Sequence, residues 1–186
     1  METREDLFDL LTIDLSINLP SEIGHQSFFA KILLDTNIIG HIELTKINAW
    51  SDSLEEHFDY SSELFTIYGY LNSLNIIEED IADPDIEDFI ILQRIFLIEK
   101  YQGLGLGGQA INILINYFEQ ITNGLFCLKS FPLQYCSKSC DDYKITLKKI
   151  DNPDFNKELN SLNTFYRKLQ LQEMKVDEGS FFYKYF

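Results

Sequence analysis

The sequence predicts an α/β protein, because strand-like and helix-like segments alternate along it. A run of apolar, often β-branched residues at positions 89–98 has the length of a buried strand. Four glycines follow within six residues, and an apolar repeat with helical spacing begins directly after them. The repeat consists of Ala110, Ile111, Leu114, Ile115 and Phe118. At 186 residues, the chain is expected to fold as one domain, residues 1–186.

The other elements can be placed in chain order. Apolar residues alternate with polar ones within residues 7–19, which predicts a first strand. Residues 28–34 and 38–47 are predicted to form a hairpin, because Asp35-Thr36-Asn37 between them is a typical turn composition. Residues 50–74 are expected to be mainly helical. The later elements are a strand at residues 125–131, a helix at residues 156–174 and a final strand at residues 180–186.

Charge and composition exclude several classes of partner. The formal net charge is −15, whereas a nucleic-acid-binding protein needs a basic face against the phosphate backbone. No apolar run approaches the ~20 residues of a membrane span, and the acidic N-terminus lacks a secretory pattern. A cytoplasmic protein is therefore expected. Residues 78–88 are strongly acidic, which is most simply a solvated loop, although such a rim would also attract a cationic partner.

No metal site is expected from the sequence. Cys136 and Cys140 are spaced closely enough for a metal or redox pair, but zinc needs four clustered ligands. The histidines at positions 25, 41 and 57 all lie far upstream. The odd number of cysteines, three, suits a reducing compartment.

The glycine-rich turn has the chemistry of a phosphate cradle. Glycines allow close backbone approach, and the free N–H groups at the start of the following helix carry partial positive charge. A kinase-type P-loop is excluded, since Gly108 is followed by Gln109 instead of lysine. A dinucleotide site matches the glycine spacing but requires an acid about 20 residues further on, and the strand at residues 125–131 contains none. A turn with no ligand is the remaining structural alternative.

A third interpretation rests on a resemblance. The segment Gln102-Gly103-Leu104-Gly105-Leu106-Gly107, followed by Gly108, resembles the acetyl-CoA-binding motif of the GNAT superfamily of N-acetyltransferases. The preceding Ile95-Phe96-Leu97 is similar to the strand exit of that family. The resemblance implies an α/β (α+β) fold with a mixed, mostly antiparallel central sheet flanked by helices. It also implies that these residues bind acetyl-CoA as the acyl donor, and that a primary amine of a small molecule or a peptide is the acceptor.

A second landmark is Phe165-Tyr166-Arg167-Lys168-Leu169-Gln170-Leu171, which is similar to the late-helix pattern of the same family. The resemblance implies that Tyr166 protonates the departing thiolate. A tyrosine suits this role because its pKa of about 10 is close to that of a thiol, so proton transfer is nearly balanced. Core packing of the Phe165–Tyr166 pair is the alternative. Gln170 replaces the glycine that is usual in the family.

The usual general base is missing. Family members often carry a glutamate four residues before the strand-exit triplet, and that position is Ile91 here. Glu87, Asp88, His57 and Asp59 are the candidate substitutes, together with a water held by backbone groups. The main helical stretch also follows the hairpin, whereas family members carry helices between their first two strands. The acceptor therefore cannot be named from the sequence.

Two other functions stay open. A non-catalytic acyl-CoA-binding or sensing domain would keep the cradle and lose the base, whereas Tyr166 argues for catalysis. A pure interaction protein would explain the acidic surface but not the cradle. In the transferase interpretation, the central strand parts from its neighbour near Pro132, and backbone groups of Ile95 and Leu97 pair with the acyl donor. The partners are then acetyl-CoA and an amine, whose cationic character the acidic surface favours; a homodimer is left open.

Overall fold

A seven-stranded sheet forms the centre of this computed structural model, which describes residues 4–17, 25–130, 155–176 and 179–186. Its strands are β1 (Leu11–Ile17), β2 (His25–Leu34), β3 (Asn37–Asn48), β6 (Asp88–Leu97), β7 (Gly124–Lys129), β8 (Gln172–Val176) and β9 (Gly179–Tyr185). They lie in the order β1-β2-β3-β6-β7-β9-β8, and a separate hairpin is formed by β4 (Ile77–Glu78) and β5 (Ile81–Ala82). Within the sheet β6 and β7 run parallel, and the other neighbouring strands run antiparallel.

Helices cover the sheet on both faces. They are α1 (Arg4–Asp9), α2 (Leu54–Phe58), α3 (Ser62–Ser73), α4 (Leu106–Glu119) and α5 (Phe155–Arg167). One hydrophobic core joins α4 and α5 to the face that carries Ile90 and Phe126. The second core joins α2 and α3 to the face that carries Phe89 and Ile91. No helix in the described part of the chain is long and apolar enough to cross a membrane.

The predicted fold class is confirmed, since the sheet is mixed and mostly antiparallel with helices on its faces. The strand predicted at residues 89–98 is Asp88–Leu97, and the predicted hairpin is β2 and β3. Asp35 in the hairpin turn has a φ of 58°, a left-handed conformation that Asp tolerates better than most residues. Residues 50–74 are mainly helical, as α2 and α3.

The helix predicted at residues 156–174 is wrong in its second half. The helix α5 ends at Arg167, and Met174 lies in the edge strand β8. The chain leaves the helix through Gln170, whose φ is 60°. The polar residues of β8 would fit the exposed side of a helix equally well. This segment is a strand because it pairs with β9, and the local sequence does not reveal that pairing.

The acidic segment at residues 78–88 is not a plain loop, because it contains most of the β4–β5 hairpin. Asp80 in the turn of this hairpin accepts hydrogen bonds from the backbone N–H of Glu55 at 2.7 Å and from the hydroxyl of Tyr68 at 3.1 Å. These contacts join the hairpin to α2 and α3. At least one acid of the segment therefore has a structural role.

Glu173 joins β8 to the end of α5 through charged contacts. Its carboxylate accepts hydrogen bonds from Arg167 Nε and Nη2 at 2.7 and 2.8 Å, and it also contacts Lys175 and Ser180. Arg167 makes the largest contribution to lowering the pKa of Glu173. The resulting stabilisation is present above the unfolded-state pKa of about 4.3 and is lost as the pH falls toward the folded-state value.

Glu173→Gln should therefore melt a few degrees below the wild type at neutral pH, and the difference should shrink as the pH is lowered through about 4. Thermal denaturation followed by circular dichroism at a series of pH values measures this. A difference in Tm that is the same at neutral and acidic pH would show that the carboxylate does not contribute in this way.

Candidate active site

The two central strands separate along their length. Residues 88–91 of β6 pair with residues 124–127 of β7, and their pairing then ends. The strand β6 continues to Leu97 alongside β3, whereas β7 continues to Lys129 alongside β9. Among the described residues, a cleft therefore opens beside residues 92–97 of β6. The predicted separation near Pro132 is wrong in position, because it begins after Cys127; Pro132 itself lies outside the described residues.

A β-bulge at Gln93 accompanies the separation. The register between β3 and β6 shifts between Leu92 and Arg94, which leaves Gln93 as an extra residue on β6. An extra residue bends a strand and increases its twist, so β6 changes direction where its pairing with β7 stops. The hydroxyl of Thr45 donates a hydrogen bond to Gln93 Oε1 at 2.8 Å and holds the bulge against β3.

The backbone of β6 presents hydrogen-bonding groups to the cleft. Just beyond the strand, Ile98 donates its N–H to the carbonyl of Ile39 at 2.9 Å. Because the N–H and C=O of successive strand residues point to opposite sides, Phe96 also faces β3. Ile95 and Leu97 therefore direct their backbone groups toward the cleft, and Phe96 does not.

Gln102 connects the end of β6 to the glycine turn. Its side-chain amide donates a hydrogen bond to the carbonyl of Leu97 at 2.7 Å, so it occupies one of the backbone groups on the cleft side. Leu104, further along the turn, is 38% exposed. The side chain of Gln102 thus shapes the cleft, while the tip of the turn lies in solvent.

The glycine turn leaves a series of backbone N–H groups without acceptors. Gly103 and Gly105 have φ values of 77° and 86°, which residues with side chains rarely adopt. Gly105 is the N-cap residue of α4, and the first helical hydrogen bond runs from the N–H of Gln109 to its carbonyl at 3.2 Å. Among the described residues, the N–H groups from Gly103 to Gly108 have no acceptor. They form an anion-binding surface at the start of a long helix.

The first turn of α4 packs against the end of α5. Leu106, Gly107 and Gly108 are all buried. A Cβ atom on Gly108 would lie 3.2 Å from Leu169 and 3.5 Å from Phe165, so a larger residue would push the two helices apart. This contact brings the glycine turn next to the second landmark of the sequence.

Tyr166 lies between α5 and the sheet. Its ring centroid is 5.4 Å from that of Phe182 in β9, and its side chain is 6% exposed. The hydroxyl has no hydrogen-bond partner in the described part of the chain. Burial raises the pKa of Tyr166, so the phenol is protonated at neutral pH but is a weaker acid than an ordinary tyrosine. The pKa of the phenol therefore lies further above that of a thiol than the sequence predicts, so full proton transfer to the thiolate is less favourable. A hydrogen bond from the hydroxyl to the sulfur is the more favourable contribution.

Two other polar side chains in this region are buried without partners among the described residues. They are Asn163, through Oδ1, and Ser130, through Oγ. Ser130 directly follows β7 at the open end of the cleft, and Asn163 is one turn before Tyr166 on α5. A buried polar atom without a partner costs about 1–3 kcal/mol, so a ligand with hydrogen-bonding groups would relieve this cost.

The acids that precede β6 lie at the opposite end of the strand from the glycine turn. Asp88 pairs with Lys46 at 2.8 Å and accepts a hydrogen bond from Thr122 at 2.6 Å. Glu87 accepts a hydrogen bond from the backbone just before β7 at 3.2 Å. Over nine residue steps of a strand, Asp88 is roughly 30 Å from Leu97. The two acids hold the closed end of the cleft together, and the structure does not favour them as the general base.

The other predicted base positions are also remote from the open end. Ile91 is fully buried in the core under α2 and α3. His57 lies in α2 and Asp59 is its C-cap residue, and this helix packs over the paired end of β6.

Within the described ranges, no group of three or more His, Cys, Asp or Glu side chains is placed to hold a metal ion. Cys136 and Cys140 lie outside those ranges.

A polar face of the sheet, on the side opposite α4, is not among the features predicted from the sequence. Its side chains form two rows across β1, β2, β3 and β6. One row is Asp14, Lys31, His41 and Phe96, and the other is Ser16, Phe29, Glu43 and Arg94. The available signal was the alternation in β3, where Ile42 and Leu44 enter the core on the α4 side.

Gly40 allows β3 to approach β6 beside the cleft. A Cβ atom at this position would lie 2.2 Å from the carbonyl oxygen of Phe96. Gly40→Ala should therefore force the strands apart and destabilise the protein by about 1–3 kcal/mol. Gly69→Ala is the matched control, because a Cβ there meets nothing within 4 Å. Equal melting temperatures of the two variants would contradict the close approach.

Comparison with known proteins gives no match by sequence: no family model matches the chain, and neither does any curated protein. By structure, the chain is similar to an agmatine N-acetyltransferase, with a TM-score of 0.50 and 7% identity over 85% of this chain and 74% of the other. Two further similar structures have TM-scores of 0.41 and 0.40, both at 11% identity. They are the Bacillus subtilis N-acetyltransferase YlbP in complex with coenzyme A, covering 86% of this chain and 68% of the other, and Arabidopsis thaliana NAA60 in complex with acetyl-CoA, covering 87% and 76%.

At such low identities the comparison bears on the fold alone, and it rests on the first structure, the agmatine N-acetyltransferase. Its similarity extends over most of both chains. The chain therefore has a GNAT-like N-acetyltransferase fold.

Proposed function

We propose that this protein is an acetyl-CoA-dependent N-acetyltransferase that acetylates a primary amine of a small molecule or a peptide. One observation chiefly supports the proposal: the backbone N–H groups of the glycine turn, at the open end of the cleft beside β6, have no acceptor in the part of the chain that the structure describes. The GNAT-like fold adds support. In this proposal residues 1–186 act as one transferase domain.

The cleft has the groups that coenzyme A would need. The N–H groups from Gly103 to Gly108 suit a pyrophosphate, because they combine free donors with the positive end of a helix. Backbone groups of Ile95 and Leu97 suit the amides of the pantetheine arm, which would extend the sheet like an added strand. The amides of the same arm would give hydrogen-bond partners to the buried side chains of Asn163 and Ser130, which have none within the described ranges.

Tyr166 supports a catalytic role for the cleft. In the reaction, the amine nitrogen forms a bond to the thioester carbonyl carbon, and the C–S bond breaks with its electron pair going to sulfur. The Tyr166 hydroxyl is protonated and has no partner among the described residues, so it is free to donate a hydrogen bond to the sulfur as charge develops there. A backbone N–H on the cleft side of β6 suits the carbonyl oxygen in the same way.

A non-catalytic acyl-CoA-binding domain is the second candidate. The observation that favours it is Ile91, which is fully buried and cannot accept a proton at the position where the family usually carries a base. Such a domain would use the same glycine turn and the same edge of β6.

A panel of primary amines distinguishes the two candidates. Purified protein would be incubated with acetyl-CoA and each amine, including agmatine, simple diamines and peptides with free amino groups. Free thiol would be measured over time, and the acetylated product identified by mass spectrometry. A transferase releases thiol in proportion to one or more amines. Acetyl-CoA binding by calorimetry with no amine-dependent thiol release would contradict the transferase function and support the binding domain.

A further inference from the structure

The polar face of the sheet lies directly beside the strand that borders the cleft. His41 in β3 is opposite Phe96 in β6, and Phe96 stands between the two residues whose backbone groups face the cleft. Neighbouring strands are about 4.8 Å apart, so His41 is one strand away from that edge. The other face of the sheet is filled by the core under α4 and α5. Among the described residues the face that carries His41 is the more open one, since Lys31 and Asp14 in the same row have side chains that are 40% and 57% exposed. An amine would reach the edge of β6 from this side.

Of the proton-accepting side chains on this face, His41 differs from the two carboxylates in having no ion-pair partner among the described residues. Lys31 is paired with Asp14 at 3.8 Å, and Glu43 is paired with Arg94 at 2.7 Å. The Nδ1 atom of His41 is buried and has no hydrogen-bond partner among the described residues. The two carboxylates are thus paired with cations, whereas no acid among the described residues is paired with the imidazole.

We propose that His41 accepts the proton that the acceptor amine must lose before it attacks; this inference rests on the proposed transferase function. The ammonium group gives one proton to the imidazole through a water at the edge of β6. The neutral nitrogen then bonds to the carbonyl carbon while the C–S bond breaks. Of its two remaining protons, one stays on the amide and the other is lost to water. The thiolate, which the Tyr166 hydroxyl stabilises by a hydrogen bond, takes up one proton from water. The imidazole returns its proton to solvent, so charges and atoms balance.

Burial and the charge of Lys31 both favour the neutral form of the His41 imidazole. Burial lowers the pKa of His41, the charge of Lys31 lowers it further, and Glu43 opposes both effects. Arg94 from β6 and Asp14 from β1 are the other charged groups in the two rows. A histidine whose pKa is lowered is neutral at pH 7 and can accept a proton.

The first test removes the imidazole. His41→Gln keeps a polar side chain but no proton acceptor. At pH 7 it should lower kcat for an amine that the wild type acetylates by ~10²-fold, with acetyl-CoA affinity unchanged in calorimetry. His57→Gln is the matched control, because the Nδ1 of His57 is also buried without a partner among the described residues but belongs to α2. This control should keep wild-type turnover.

The second test leaves His41 in place and changes its neighbour. Lys31→Met removes the positive charge directly across from His41, so the pKa of the imidazole should rise. NMR titration of the histidine resonances in the free protein measures this, with the signal assigned by its absence in His41→Gln. With the same amine, the acid limb of the kcat/KM profile should move to higher pH by the same amount.

The outcomes separate the two proposals. An active wild type whose turnover survives His41→Gln would overturn the role of His41 and leave the transferase function intact. The role of His41 would also be overturned if, in Lys31→Met, the acid limb of the kcat/KM profile did not shift with the pKa of His41 measured by NMR. This second result does not depend on whether His41→Gln folds. No thiol release from the wild type with any amine would instead overturn the transferase function, and the role of His41 with it.

Discussion

Gly105→Val is expected to abolish detectable acetyl-CoA binding in a protein that still folds. Gly105 has a φ of 86° and is the N-cap residue of α4. A β-branched residue is strained in this conformation, so the turn must rearrange and the N–H groups from Gly103 to Gly108 no longer point to one site. The loss of several aligned donors to a charged phosphate should weaken the affinity by at least ~10²-fold.

Calorimetry with acetyl-CoA measures this loss, and circular dichroism shows whether the variant is folded. Gly69→Val is the matched control: Gly69 lies in α3, and a Cβ there meets nothing within 4 Å. Near-normal affinity in folded Gly105→Val would show that the glycine turn does not bind the pyrophosphate.

Tyr166→Phe should lower turnover by ~10²-fold while acetyl-CoA binds as before. The substitution keeps the ring that packs on Phe182 and Phe165 and removes only the hydroxyl. Because burial raises the pKa of Tyr166, the phenol is protonated throughout the neutral range. The ratio of wild-type to variant kcat should therefore be constant between about pH 6 and pH 9.

Steady-state kinetics with an amine substrate across this pH range tests the prediction. Tyr117→Phe, which removes the hydroxyl of an exposed tyrosine on α4, should have no effect. If Tyr166→Phe turns over like the wild type, the residue only packs the core between α5 and the sheet.

Most of the features that could be predicted from the sequence depend on the local chemistry of the chain. The first half of the strand before the glycine turn, from Phe89 to Leu92, is continuously apolar because it is buried on both faces, and the ends of the whole strand are predicted to within one residue. The hairpin of β2 and β3 follows from turn residues between two apolar runs. Gly103 and Gly105 were informative because a left-handed backbone and a close approach to a ligand both require glycine.

Properties that depend on the pairing register could not be predicted. The bulge at Gln93 and the separation of β6 from β7 after Cys127 arise from non-local pairing, which no local pattern records. For the same reason, the row that places His41 beside Phe96 appears only once four strands are aligned. The error at the end of α5 has a similar origin, since β8 is a strand because β9 pairs with it.

The burial of individual polar groups also could not be predicted. Asn163 and Ser130 are ordinary helix and strand-end residues in the sequence, yet each is buried without a partner among the described residues. Tyr166 has an ordinary pKa of about 10 in the absence of structural information, and its burial alone moves it. A functional role for these side chains can be inferred only from their position beside the cleft.

Calorimetric titration of the wild-type protein with acetyl-CoA tests the central claim most directly, because every role assigned to the cleft depends on the acyl donor binding there. We expect saturable binding of one acetyl-CoA per chain, with the same affinity in Tyr166→Phe and no detectable binding in Gly105→Val. Absence of binding to the folded wild-type protein, or binding that Gly105→Val leaves unchanged, would contradict the account.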